Sequence, residues 1–326
     1  MGDVHHVHLV RVLRPLLLAL LLAGCAYSAR PPLRFADLPY RWPEKSVELD
    51  EVRVSYVELN PEGAQTVILI HGLGSYLKFW SFQLDELAAK GYRVIALDLP
   101  GYGKSDKPAS FPYTMEAFAG VVHELTGRLG IDHPILFGHS MGGHIAVTYE
   151  LLYPGEARAL VLASPAGFEA FSPRERAWFA AVVRTELFVA ATEEDLYASV
   201  RAANFMHWRP ELRWLIEERA RIARTPEFRA YAYANVLSVR GLSHTDFVRA
   251  NLGAVGVPTL IIFGEDDRLI PNPFLHGGRA RDVMAPAHQG IRGSELVGLA
   301  GCGHSVQLDC PAAFNRAAFS FLTRLQ

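Results

Sequence analysis

Short, almost wholly apolar runs recur at 66–70, 134–137, 159–163 and 259–263, each bounded by glycine, proline or polar residues. A continuous apolar run is what a strand buried on both faces looks like. Segments with helical spacing fall between them, at 81–90, 115–129 and 142–153, and 312–325 closes the chain as a helix. Further strands are expected at 92–97 and 295–299, and 52–59 alternates apolar with polar residues as an antiparallel edge strand does. Alternation of this kind implies an α/β fold, a mostly parallel sheet with helices on both faces. From about 165 to 252 no buried-strand run appears; the stretch is helical, aromatic and rich in Arg and Glu. It reads as a helical insertion between two parts of one core, 45–164 and 253–326.

Composition removes several function classes. Of 326 residues, 50% are hydrophobic and 20% charged, enough apolar material for a large core and against disorder. Lys and Arg total 32 against 34 Asp and Glu, with no basic stretch, which argues against nucleic-acid binding. Three cysteines suit neither a disulfide scaffold nor a zinc site.

The first 24 residues read as a signal peptide. Arg11 and Arg14 precede an apolar run at 16–23, too short to span a bilayer. Leu22-Ala23-Gly24-Cys25 resembles a bacterial lipobox. The resemblance implies cleavage before Cys25 and lipidation of that cysteine; the alternative is an ordinary signal peptide with an incidental cysteine. Several acyl chains anchor a protein firmly where one does not, so the expected place is the cell envelope, facing the periplasm or the exterior. His5, His6 and His8 leave with the signal and are not metal ligands. Residues 25–44 carry Pro31, Pro32, Pro39 and Pro43 and read as a tether into the domain.

Four local signals carry chemistry. Gly138-His139-Ser140-Met141-Gly142 sits between an expected strand and an expected helix, the context in which G-x-S-x-G exposes a nucleophilic serine. His71-Gly72-Leu73-Gly74 ends the first buried strand. The backbone N–H groups of Leu73 and Met141 are the candidate donors to a tetrahedral oxyanion. Gly264-Glu265-Asp266-Asp267 follows another strand, where a carboxylate can orient a histidine. Gly301-Cys302-Gly303-His304 follows the last one, and its glycines allow a tight loop that brings His304 to Ser140.

With these motifs, and with Asp98-Leu99-Pro100-Gly101-Tyr102-Gly103-Lys104-Ser105, the chain resembles the α/β-hydrolase superfamily along nearly its whole length after the signal. The resemblance implies a Ser140–His304–Asp267 triad, with 165–252 as a cap over the site and no metal or organic cofactor. The family's usual spacing, three residues after the glycine and four before Pro271, selects Asp267 over Asp266. Some members carry the acid after the preceding strand, where Glu169 is the nearest candidate. Cys302 and Cys310 either pair and brace His304 or stay as buried thiols. The segment 272–293 is longer and less clearly helical than in the family.

The implied activity is cleavage of an ester or lipid ester through an acyl-enzyme. Carbon–carbon hydrolases of ring-cleavage products share the GxSMGG pattern and the cap, but commonly carry Asn where His139 stands. Ser164-Pro165-Ala166-Gly167 looks like the same stretch in monoacylglycerol-lipase-type members. Trp178, Phe179, Phe188, Phe205, Trp208, Trp214, Phe228, Tyr231 and Tyr233 either line an acyl pocket or pack the cap's own core. The Arg- and Glu-rich stretch 209–229 reads as a solvated helix face rather than a membrane-binding surface. From another class comes a lipid-anchored binding protein that has lost catalysis, since fold alone does not establish activity.

Overall fold

The computed structural model describes residues 27–50 and 52–325. The expected signal peptide and Cys25 lie outside the described residues. Eight strands form one sheet in the order β1-β2-β4-β3-β5-β6-β7-β8. β1 (Glu44–Glu48) and β2 (Arg53–Leu59) pair antiparallel, as do β2 and β4 (Arg93–Leu97). The rest is parallel: β3 (Thr66–Ile70), β5 (Ile135–His139), β6 (Ala159–Ala163), β7 (Thr259–Gly264) and β8 (Glu295–Leu299).

The apolar runs are central strands because both their faces are covered. Every residue of β3, β5, β6 and β7 is buried. Each buried Ile, Leu or Val there contributes about 1.5–3 kcal/mol. The flanking helices are α1 (Leu84–Ala89), α2 (Met115–Arg128) and α3 (Met141–Leu152). Thr114 caps α2 by accepting the Ala117 N–H at 3.2 Å. Between β6 and β7 run α4 (Pro173–Val182), α5 (Thr185–Ala190), α6 (Glu193–Asn204), α7 (Trp214–Ile222), α8 (Phe228–His244) and α9 (Phe247–Ala250), the helical insertion expected there. The chain closes through α10 (Ala280–Gly290), α11 (Val306–Asp309) and α12 (Pro311–Arg324). Residues 280–290 are helical in spite of Pro286, so 272–293 is more ordered than its composition suggests.

Three expectations need correction. The 52–59 strand is not an edge: β1 lies outside it, and its charged residues Glu44, Lys45 and Glu48 mark it as the exposed border strand. The part of the tether that is described, 27–44, is not free. Leu33, Phe35, Leu38 and Trp42 are buried, Tyr40 Oη donates to Asp98 Oδ2 at 2.8 Å, and Trp42 Nε1 donates to Asp85 Oδ1 at 3.0 Å. Apolar residues spaced between prolines dock without any helical or strand period. Nor is 209–229 a solvated face throughout. Glu218 is buried, accepting from Lys78 Nζ at 2.5 Å and from the Tyr76 hydroxyl, and Arg219 turns into a cavity.

Candidate active site

Ser140 occupies the turn between β5 and α3 with φ 52°, a left-handed conformation rare for a residue with a side chain. The turn is closed by backbone bonds: Ser140 N–H donates to Ala163 O at 2.9 Å, and Gly143 and Ala166 N–H donate to Ser140 O at 2.9 and 3.0 Å. The flanking glycines are steric necessities. A Cβ at Gly138 would meet Gly142 O at 2.2 Å, and one at Gly142 would meet Ile70 O at 2.2 Å. The fold therefore presses the turn against the end of β3 and leaves the serine as its projecting side chain.

Asp267 and His304 come together on the loops after β7 and β8. His304 Nδ1 donates to Asp267 Oδ2 at 2.7 Å, and the other carboxylate oxygen accepts Leu269 and Ile270 N–H at 2.8 and 3.1 Å. Both side chains are almost fully enclosed. Asp266 faces away and accepts the Gly301 N–H at 2.9 Å. Glu169 is engaged elsewhere, by Asn272 N–H at 2.7 Å and His276 Nδ1 at 2.5 Å. Of the carboxylates considered, Asp267 is the one that meets the histidine.

Ser140 and His304 line one cavity of about 550 Å³ together with His139, Leu73 and Pro165. Their side chains form no direct hydrogen bond here; with Nδ1 held by Asp267, Nε2 is the nitrogen left for the serine. Such contacts are often loose without substrate. Met141 is the first residue of α3, so its N–H has no acceptor within the helix. Leu73 N–H has no acceptor among the described residues. Two unspent donors thus flank the serine.

The loop carrying His304 is braced from three sides. Cys302 and Cys310 form a disulfide. Asp309, fully buried, accepts Gly303 N–H at 2.7 Å and reaches the insertion by accepting Met206 and His207 N–H at 2.9 and 2.7 Å. His139 Nε2 lies 3.3 Å from the His304 carbonyl, and burial holds the His139 imidazole well below its usual pKa. Neutral His139 can therefore donate from Nε2 to that carbonyl. Cys310, Asp309 and His207 also cluster at metal-ligand distances, but the Cys310 sulfur is spent in the disulfide.

Below the site, Asp98 anchors the loops that shape it. Its carboxylate accepts from Leu77 N–H at 2.8 Å, Lys104 N–H at 2.7 Å and the Tyr40 hydroxyl. Burial raises its pKa to about 6 against the pull of those donors.

The walls above Ser140 come from the insertion. Phe179, Phe188, Phe205 and Tyr231 line the cavity; Trp178, Trp208, Trp214, Phe228 and Tyr233 do not. Trp208 and Trp214 pack with the small cluster around Phe205, Leu212, Leu215 and Leu308. Sequence reasoning missed Phe35, which reaches the cavity from the N-terminal segment, and Arg219. Arg219 donates to Gly74 O at 3.1 Å and stacks over Tyr231 with its guanidinium carbon 4.3 Å from the ring centre. No carboxylate among the described residues pairs with it, and burial lowers its pKa to about 10. A charge run on a helix gave no sign of which member points inward.

A family model described as alpha/beta hydrolase fold matches residues 65–311. The chain belongs to the α/β-hydrolase family. It is 30% identical over 268 residues to the 2-hydroxy-6-oxononadienedioate/2-hydroxy-6-oxononatrienedioate hydrolase of Klebsiella pneumoniae subsp. pneumoniae, covering 81% of this chain and 88% of that relative. Among solved structures, a probable hydrolytic enzyme from Pseudomonas aeruginosa PAO1 superposes with TM-score 0.80 at 27% identity, over 90% of this chain and 98% of that one. A membrane phospholipase A described as a bacterial virulence factor superposes with TM-score 0.64 at 25% identity, over 87% and 86%. This α/β-hydrolase is thus similar both to a protein named as a dioate hydrolase and to one named as a phospholipase A.

Proposed function

We propose that this α/β-hydrolase cleaves carboxylic esters, lipid esters above all, through an acyl-enzyme on Ser140. The Asp267–His304 contact beside a strained, projecting serine is the observation that carries the reading. His304 Nε2 takes the hydroxyl proton as Ser140 Oγ attacks the ester carbonyl, while Asp267 fixes the imidazole's tautomer and stabilises the imidazolium. The N–H groups of Leu73 and Met141 hold the oxyanion. The protonated histidine gives its proton to the departing alcohol, then activates water to release the acid. The mostly apolar cavity suits an acyl chain. The likeness to a membrane phospholipase A supports a lipid substrate. Lipidation at Cys25 would keep the enzyme on an envelope membrane beside that substrate.

Arg219 favours a second reading. A guanidinium with no carboxylate partner among the described residues, in an apolar cavity, suits a substrate that carries its own acid group. The Klebsiella relative is named for a dioate, and the second reading is carbon–carbon cleavage of a ring-cleavage product.

The test is hydrolysis of p-nitrophenyl esters over a series of acyl lengths, with Ser140→Ala as control. Loss of turnover in the variant by at least about a thousandfold supports the serine mechanism. Wild-type protein that is labelled by a fluorophosphonate yet cleaves only ring-cleavage diketones moves the assignment to the second reading. No labelling of Ser140 sinks both and leaves a binding protein.

A further inference from the structure

Tyr27, two residues after Cys25, is already fastened to the insertion. Its N–H donates to Glu193 Oε1 at 3.1 Å, and its carbonyl accepts from Arg224 at 3.4 Å. The following residues continue as a strap over α7 and the start of α8. Arg30 pairs with Glu217 at 2.5 Å, Arg221 Nε donates to Pro31 O at 2.9 Å, and Leu33 N–H donates to Arg221 O at 3.3 Å. Phe35 N–H then donates to Glu227 Oε2 at 3.2 Å, and its ring enters the wall of the Ser140 cavity.

Glu193 and Arg224, the two residues that hold Tyr27, are also on the rim of a second cavity of about 560 Å³. It is the gap between the α5–α6 pair and α7. Phe188, Leu196, Ser199 and Arg219 are walls of this gap and of the Ser140 cavity alike. On the outer side the gap presents Val189, 43% exposed, and Ala191. Of the rim's acids, Glu193 accepts from Tyr27 N–H, and Asp195, which is exposed, accepts from the Thr192 hydroxyl at 2.9 Å in the cap of α6.

We propose that this gap docks on a lipid bilayer and is the port through which a lipid acyl chain reaches Ser140. The proposal deepens the lipid-ester reading and rests on it, and it takes Cys25 as the point of attachment. Two residues reach about 7 Å at most. An anchor at Cys25 therefore holds the rim at Glu193 and Arg224 against the membrane surface. A free tether of some twenty residues would instead wander about 25 Å and impose no orientation. The strap thus converts a lipid anchor into an aiming device.

The test replaces the natural anchor, so it does not depend on lipidation. The chain from Ala26, which contains every described element, is tethered to phosphatidylcholine vesicles bearing nickel-chelating lipid. One version carries the histidine tag before Ala26 and the other carries it after Gln326. The vesicles hold a long-chain fluorogenic ester, and a soluble short-chain ester is assayed in parallel. The N-terminally tethered enzyme is expected to cleave the vesicle ester on the order of tenfold faster, with equal soluble turnover in both. Ala220→Trp, which fills the gap, is expected to remove that advantage while Ser140 is still labelled by a fluorophosphonate. Equal vesicle rates for the two tethers overturn the proposal, as does an advantage that survives Ala220→Trp. If both versions cleave the soluble ester but neither touches the vesicle ester, the port is wrong and the esterase reading stands. No turnover of any ester sinks the reading beneath it.

Discussion

Asp267 Oδ2 lies 2.7 Å from His304 Nδ1, while the adjacent Asp266 is spent on the Gly301 backbone. Two neighbouring carboxylates thus have separate tasks, one orienting the imidazole and the other shaping the loop that carries it. Asp267→Asn keeps the shape but favours the wrong tautomer. Its kcat on a p-nitrophenyl ester is expected to fall by on the order of 10³–10⁴. Asp266→Asn should cost less than about tenfold, because it loosens a loop and leaves the proton transfer intact. Comparable losses in the two variants would show that the acid has been misplaced.

The part of this arrangement that the sequence discloses is the part fixed by local sterics. The Gly138–Gly142 turn, the glycines before His304 and the apolar runs of β3, β5, β6 and β7 each follow from what their own neighbours allow. The family's spacing points to Asp267, which meets His304, while Glu169 and Asp266 have other partners. What stays hidden depends on contacts between distant segments. β1 is charged at 44, 45 and 48, mostly exposed and without an apolar period, so nothing in 44–48 announces a strand. Phe35 lies among prolines, yet it packs on Tyr231 with ring centres 5.3 Å apart. Glu218 and Arg219 look like their charged neighbours until α7 is laid against Tyr76 and Gly74.

Arg219 gives a prediction that separates selectivity from structure. Arg219→Met should lower kcat/KM for an ester bearing a distal carboxylate by on the order of a hundredfold, the worth of a charged hydrogen bond. A neutral ester of the same length should change by less than about fivefold. Equal losses on both substrates would mean that Arg219 only props Gly74 and Tyr231.

The disulfide closes residues 302–310 around His304. A closed loop of that length is expected to contribute about 2.5 kcal/mol by restricting the unfolded chain. The double variant Cys302→Ser with Cys310→Ser should therefore melt several degrees lower and lose ester turnover through a looser His304. Dithiothreitol should reproduce both effects in the wild type and change nothing in the variant. A melting temperature indifferent to both treatments would show that Asp309 and His139 hold the loop without the disulfide.

His276 ties the insertion to the loop after β7 through two carboxylates. Its Nδ1 meets Glu169 Oε1 at 2.5 Å and its Nε2 meets Glu175 Oε1 at 3.0 Å. Glu175 belongs to the first turn of α4, where it completes a capping box with Ser172. The Glu169 hydrogen bond, with Glu175 adding to it, raises the imidazole's pKa, and the Phe171 ring stacks against it at 5.5 Å. A histidine whose folded pKa is raised adds stability that is complete below its unfolded value, about 6.5, and that is lost as pH rises through the folded value. His276→Gln keeps a donor but loses the charge. Its melting temperature should therefore fall further below that of the wild type at about pH 6 than at about pH 9. A gap that is the same at both pH values would mean the cluster is held by neutral hydrogen bonds alone, and a gap that widens at high pH would reverse the assignment of charge.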